Sequence, residues 1–107
     1  MLNEKKLLTK MLTKFRGCDN ALREDLGTAT SVTPTKDGWL VAAGTSTVSS
    51  GVAPVIRIGT EGGTIFAEGV GVISNGAMLI TSCPVKAGVT YKITLYRCNI
   101  SSTILYY

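Results

Sequence analysis

The side chains that most often carry chemistry are scarce in this chain, which has three cysteines, seven carboxylates and no histidine. Without an imidazole there is no Ser–His or Cys–His nucleophile pair, and the commonest metal ligand is missing. Cys18, Cys83 and Cys98 share no C-x-x-C or other metal-ligand spacing, so they read as small buried hydrophobes with free thiols. A two-carboxylate glycosidase would have to draw on Asp37, Glu61 and Glu68. Asp37 precedes Gly38 in a turn signal, which leaves Glu61 and Glu68 alone. The glycine clusters Glu61-Gly62-Gly63-Thr64 and Gly69-Val70-Gly71 precede no helical pattern and read as turns or bulges, not phosphate cradles. These residues point away from catalysis, and neither a cofactor nor a metal is expected.

The residues with surplus meaning are aromatic and apolar. Trp39 and Tyr96 are the ligand candidates, because an aromatic face can stack on a sugar ring; the same side chains also serve as core or interface anchors. Leu40 and Ala42 oppose Trp39, Val41 and Ala43 along one strand pattern, and Ile56 and Ile58 oppose Val55 and Arg57 along another. Two strands therefore read as covered on both sides, which in a small chain implies a neighbouring subunit or the chain's own N-terminal segment. At the C-terminus Ile104 and Tyr106 oppose Leu105 and Tyr107, so one pair is expected in the core and the other against a neighbour. The interface candidates are Leu8, Met11, Phe15, Leu40, Ile56, Ile58, Leu105 and Tyr107, and the expected state is a homo-oligomer.

The elements that must position these residues are mainly β. Residues 84–98, PVKAGVTYKITLYRC, organise the rest: Pro84 and Gly88 frame a turn, and from Val89 the side chains alternate. Val89, Tyr91, Ile93 and Leu95 fall on one face, and Thr90, Lys92, Thr94 and Tyr96 on the other. Further strands are expected at residues 29–33, 39–43, 54–58, 64–73, 77–83 and 100–107, separated by Asp37-Gly38, Glu61-Gly62-Gly63 and Ser74-Asn75-Gly76 turns, with residues 44–51 as a loop or weak edge strand. Gly69 or Gly71 marks a bulge or a close backbone approach. Such a series predicts an antiparallel jelly-roll or β-sandwich.

Residues 2–16 read as a short N-terminal α-helix, with Leu8, Met11, Leu12 and Phe15 at three- and four-residue spacing. The stripe fits packing on the sheet, the end of a stalk or a self-associating bundle. Residues 18–26 read as a linker or second short helix ended by Gly27, giving residues 1–27 as helix and linker and 28–107 as a β-sandwich head domain.

The charge of +4 says little about partners, because five of the eleven basic residues fall in the first sixteen positions. Lysines on a solvated helix face account for that bias, and nucleic acid is the minority reading. Neither a signal-peptide h-region nor an 18-residue apolar run is present, so no membrane insertion and cytoplasmic synthesis are expected.

A charged helix, then SVTPTKDGWLVAAG, glycine-bounded strands, PVKAGVTYKITLYR and a terminal ILYY strand form a familiar order. Over residues 31–107 it resembles the small jelly-roll head domains at the ends of bacteriophage tail-fibre and minor structural proteins. Val89 stands where such domains often carry Asp after the glycine, and no ligand residue carries over. The resemblance implies a trimeric head, made in the bacterial cytoplasm and assembled into a virion or phage-derived particle, that recognises a host surface glycan or protein without catalysis or cofactor. The alternative is a structural oligomerisation or virion decoration module without receptor binding.

Overall fold

The computed structural model of the chain describes residues 22–107. The expected helix, its candidates Leu8, Met11 and Phe15, and Cys18 lie outside the described residues. Within them the chain is mainly β, with strands β1 (Arg23–Asp25), β2 (Ser31–Val32), β3 (Gly38–Ser46), β4 (Val55–Gly59), β5 (Ile65–Val70), β6 (Met78–Val85), β7 (Tyr91–Tyr96) and β8 (Cys98–Tyr106). They form two four-stranded antiparallel sheets, ordered β1-β8-β3-β6 and β2-β7-β4-β5. The chain thus behaves as one long hairpin, pairing 4 with 5, 3 with 6, 2 with 7 and 1 with 8, with alternate pairs falling in alternate sheets.

Period-two alternation decides which residues are inside. In β6 it is unbroken: Leu79, Thr81, Cys83 and Val85 are buried, while Met78, Ile80, Ser82 and Pro84 are exposed. Leu40, Ala42, Cys98 and Leu105 join the buried set from the same sheet, and Val32, Ile56, Ile58, Tyr91 and Ile93 meet them from the other, making one core between the sheets. The organising strand behaves as its pattern predicts, with Tyr91 and Ile93 buried and Leu95 packed against the core; Val89 lies before the strand and is exposed. The buried Tyr91 hydroxyl accepts a 2.8 Å hydrogen bond from the Lys86 amide and so fastens the preceding turn, where Gly88 takes φ 80°.

Several expectations are corrected. Pro84 is not a turn residue but part of β6, opposite Trp39; β6 is an edge of its sheet, so the missing N–H costs no ladder bond. Gly38 opens β3 instead of sitting in a hairpin turn, and a Cβ there would strike the Tyr106 carbonyl. Asp37 reaches across, accepting a 2.9 Å bond from the Ala87 amide, so it ties two connections together. Part of the segment read as linker or helix is β1, paired with β8 in register Arg23↔Tyr106, because the exposed edge of β8 offers it a ladder. Strand β3 runs on through Gly44 to Ser46, where a loop or weak edge strand was expected. Gly69 marks a close approach, since a Cβ there would strike the Ile80 carbonyl where β5 and β6 bring the two sheets together, while the bulge of that strand pair lies at Ile58/Gly59.

Candidate functional site

The two outward faces of the sheets differ in chemistry. On the second sheet, β4 turns Val55 and Arg57 outward because Ile56 and Ile58 are fully buried beneath them. Register then sets Glu68 of β5 on one side of Arg57 and Thr94 of β7 on the other, with Tyr96 opposite Val55. Arg57 donates from Nε to Glu68 Oε2, and its guanidinium carbon lies 5.0 Å from the centre of the Tyr96 ring. The Glu68 carboxylate, chiefly through that hydrogen bond, raises the Arg57 guanidinium above its ordinary value. The cation is therefore held in one orientation over the ring while remaining at the surface.

The β4–β5 turn supplies the second wall. Thr60 N–H donates to the Thr64 carbonyl at 2.9 Å, which curls Thr60 to Thr64 back over the sheet. Arg57, Thr60, Thr64, Ile65, Thr94 and Tyr96 line a half-open depression of about 160 Å³. Lys92 lies on the same face, its Nζ 3.6 Å from Glu61 Oε1. Both carboxylates considered for hydrolysis are thus tied to bases, Glu68 to Arg57 and Glu61 to Lys92. Three threonines, a planar cation and the aromatic ring it lies over make a surface suited to a polyhydroxylated ligand. Among the described residues no three Cys, Asp or Glu side chains gather to hold a metal.

On the first sheet the outward face is mostly apolar across β3, β6 and β8, with Ser82, Ser102 and Thr45 among its members and a charged pair at the β1 border. One row across it is Arg23, Tyr106, Trp39 and Pro84, the next Asp25, Ile104, Val41 and Ser82, and the third Ser102, Ala43 and Ile80. Beyond them lie Thr45 and Met78.

Of the aromatic candidates, Tyr96 lies in the depression and Trp39 on the opposite outward face, so they share no site. Leu40, Ile56, Ile58 and Leu105 are in the chain's own core, so their side chains do not meet a second subunit; the alternate residues on those strands do face outward. Tyr107 is partly buried, packs against the core, and donates from its hydroxyl to Glu24 Oε2 at 3.0 Å. Arg57 and Thr94, which line the depression beside Tyr96, were not singled out from the sequence. Their outward parity was readable, whereas their register against Tyr96 was not. No helix among the described residues is long and apolar enough to cross a membrane. No family model, curated protein or solved structure matches the chain.

Proposed function

We propose that the chain is a non-enzymatic head module of the phage or prophage fibre-tip type, a jelly roll that assembles as a homo-oligomer and binds a host cell-surface carbohydrate or protein. The observation that carries this reading is the depression in which Tyr96, Arg57 and the Thr60, Thr64 and Thr94 side chains converge. Its size suits one sugar unit of a longer chain, with the Tyr96 ring for apolar contact and the guanidinium and threonine hydroxyls for hydrogen bonding. The strand order supports the fold half of the proposal, since eight strands paired 1-8-3-6 and 2-7-4-5 follow the jelly-roll scheme found in viral and lectin domains. Fold by itself does not fix function, so the site has to carry the rest.

The test is binding of purified protein to host cells and to isolated wall polysaccharide. Tyr96→Ala and Arg57→Ala change surface side chains, and each should weaken binding about tenfold or more, the value of one well-placed contact of about 1.4 kcal/mol. Unchanged binding by both variants would refute this site. The alternative, a virion structural or decoration module, is favoured by the apolar face of the first sheet. A protein that binds other virion proteins but neither cells nor polysaccharide would establish it.

A further inference from the structure

The outward face of the first sheet is built like an interior and left open. Trp39 is 47% exposed, Ile80 61% and Met78 70%, and beside them Val41, Ile104 and Tyr106 are partly exposed. These residues adjoin one another through the register of β8, β3 and β6. They form one surface.

We propose that this face is where copies of the chain meet, the outward rows of β3, β6 and β8 in one subunit packing on those of its neighbour. The inference rests on the oligomeric part of the reading above and names the surface that would serve it.

Area, charge and relief favour a second copy as the occupant. Six residues along β3 at about 3.3 Å each, and three strands at about 4.8 Å each, give a backbone footprint of roughly 290 Å². Side-chain relief raises the accessible area above that footprint, toward the roughly 800 Å² per partner of a stable interface. The charged pair on the face, Arg23 and Asp25 at its β1 border, is already joined at 3.1 Å. Among the described residues, the rows of this face therefore hold no unpaired cation for a nucleic acid or an anionic headgroup, and they meet their own image without like-charge repulsion. Ala43, 5% exposed, makes a low point between the raised Ile80 and the β8 backbone, so the surface carries both knobs and a recess. A self-associating face needs both.

Trp39 is the chain's single tryptophan and reports on the face directly. In the full chain, light scattering should give a multiple of 11.3 kDa at micromolar concentration, and Trp39 emission should shift to the red and become more quenchable by acrylamide as dilution dissociates the assembly. A Met78→Lys/Ile80→Lys variant should fall to the single-chain mass with Trp39 accessible at every concentration. Because both side chains are largely exposed, its circular dichroism should remain that of the wild type; should it fail to fold, the wild-type dilution series decides alone. A wild-type mass of 11.3 kDa overturns the proposal, whether Trp39 is open or is shielded by the chain's own N-terminal segment. An oligomer in which Trp39 stays freely quenchable also overturns it, because the contact then lies elsewhere. Polysaccharide binding is read separately, so loss of binding with an intact Trp39 response would refute the glycan site and leave this interface standing.

Discussion

Arg97 is the single residue between β7 and β8, and there the chain passes from the second sheet to the first with φ 58°. A left-handed conformation costs an L-residue roughly 1–2 kcal/mol, and glycine is spared that cost. Two bonds hold the crossing: Arg97 Nε donates to the Ala53 carbonyl at 2.9 Å, and the Arg97 carbonyl accepts from the Thr47 amide at 3.1 Å. Replacing Arg97 by Ala keeps the backbone strain and loses the side-chain bond, which at this exposed position is worth about 0.5–1.5 kcal/mol. Replacing it by Gly loses the same bond but removes the strain, offset in part by the larger chain entropy of glycine. Arg97→Gly should therefore be about 1 kcal/mol more stable than Arg97→Ala, the reverse of the usual order within strands. With a urea dependence of about 1–2 kcal/mol per molar, the two midpoints should lie roughly 0.5–1 M apart at equal protein concentration. Equal midpoints, or a more stable alanine variant, would show that the crossing is not strained at Arg97.

Removing only the buried hydroxyl with Tyr91→Phe should cost about 1 kcal/mol by leaving the Lys86 amide without its acceptor, and amide exchange at Lys86 should quicken; unchanged exchange would mean the turn holds itself. Burial pushes the Cys83 and Cys98 thiols above their ordinary value of 9.0, so both should react slowly with a thiol reagent in the folded protein, and all three cysteines should react after denaturation without reductant. Because folding favours the neutral thiols, the stability they contribute is complete below the unfolded value and is lost as pH rises through the raised folded one. A melting temperature that climbed from pH 8 to pH 10 would contradict this.

Much of the sheet structure was legible because alternation is a local signal. Strand β7 follows from Tyr91, Ile93 and Leu95 recurring every second residue, and the Asn75-Gly76 turn marks the start of β6. The direction of a strand's two faces was not legible. Leu40 and Ile56 are as apolar as their outward neighbours Trp39 and Val55, and only the pairing of whole sheets decides which set is enclosed. The depression was hidden for a related reason. Arg57, Glu68 and Tyr96 come from three strands, and no local rule places them in register.

Strand β8 shows how one irregularity can decide the character of a surface. Cys98 and Leu105 are both buried although they stand seven positions apart, and strict alternation would put them on opposite faces. The ladder with β3 resolves the conflict by a bulge: Ala43 pairs with Ser102 and Gly44 with Ile100, leaving Ser101 as the extra residue. Its hydroxyl lies 2.6 Å from the Thr45 hydroxyl, which gives the extra residue a partner at the surface. Beyond the bulge the parity is reversed, so Thr103 and Leu105 enter the core while Ile104 and Tyr106 turn out beside Val41 and Trp39. Were Ser101 paired regularly instead of bulged out, keeping Cys98 inside would send Leu105 outward and draw Ile104 and Tyr106 into the core. The apolar rows on which the proposed contact between subunits depends are therefore set by Ser101, a small polar residue whose own side chain adds nothing apolar to them.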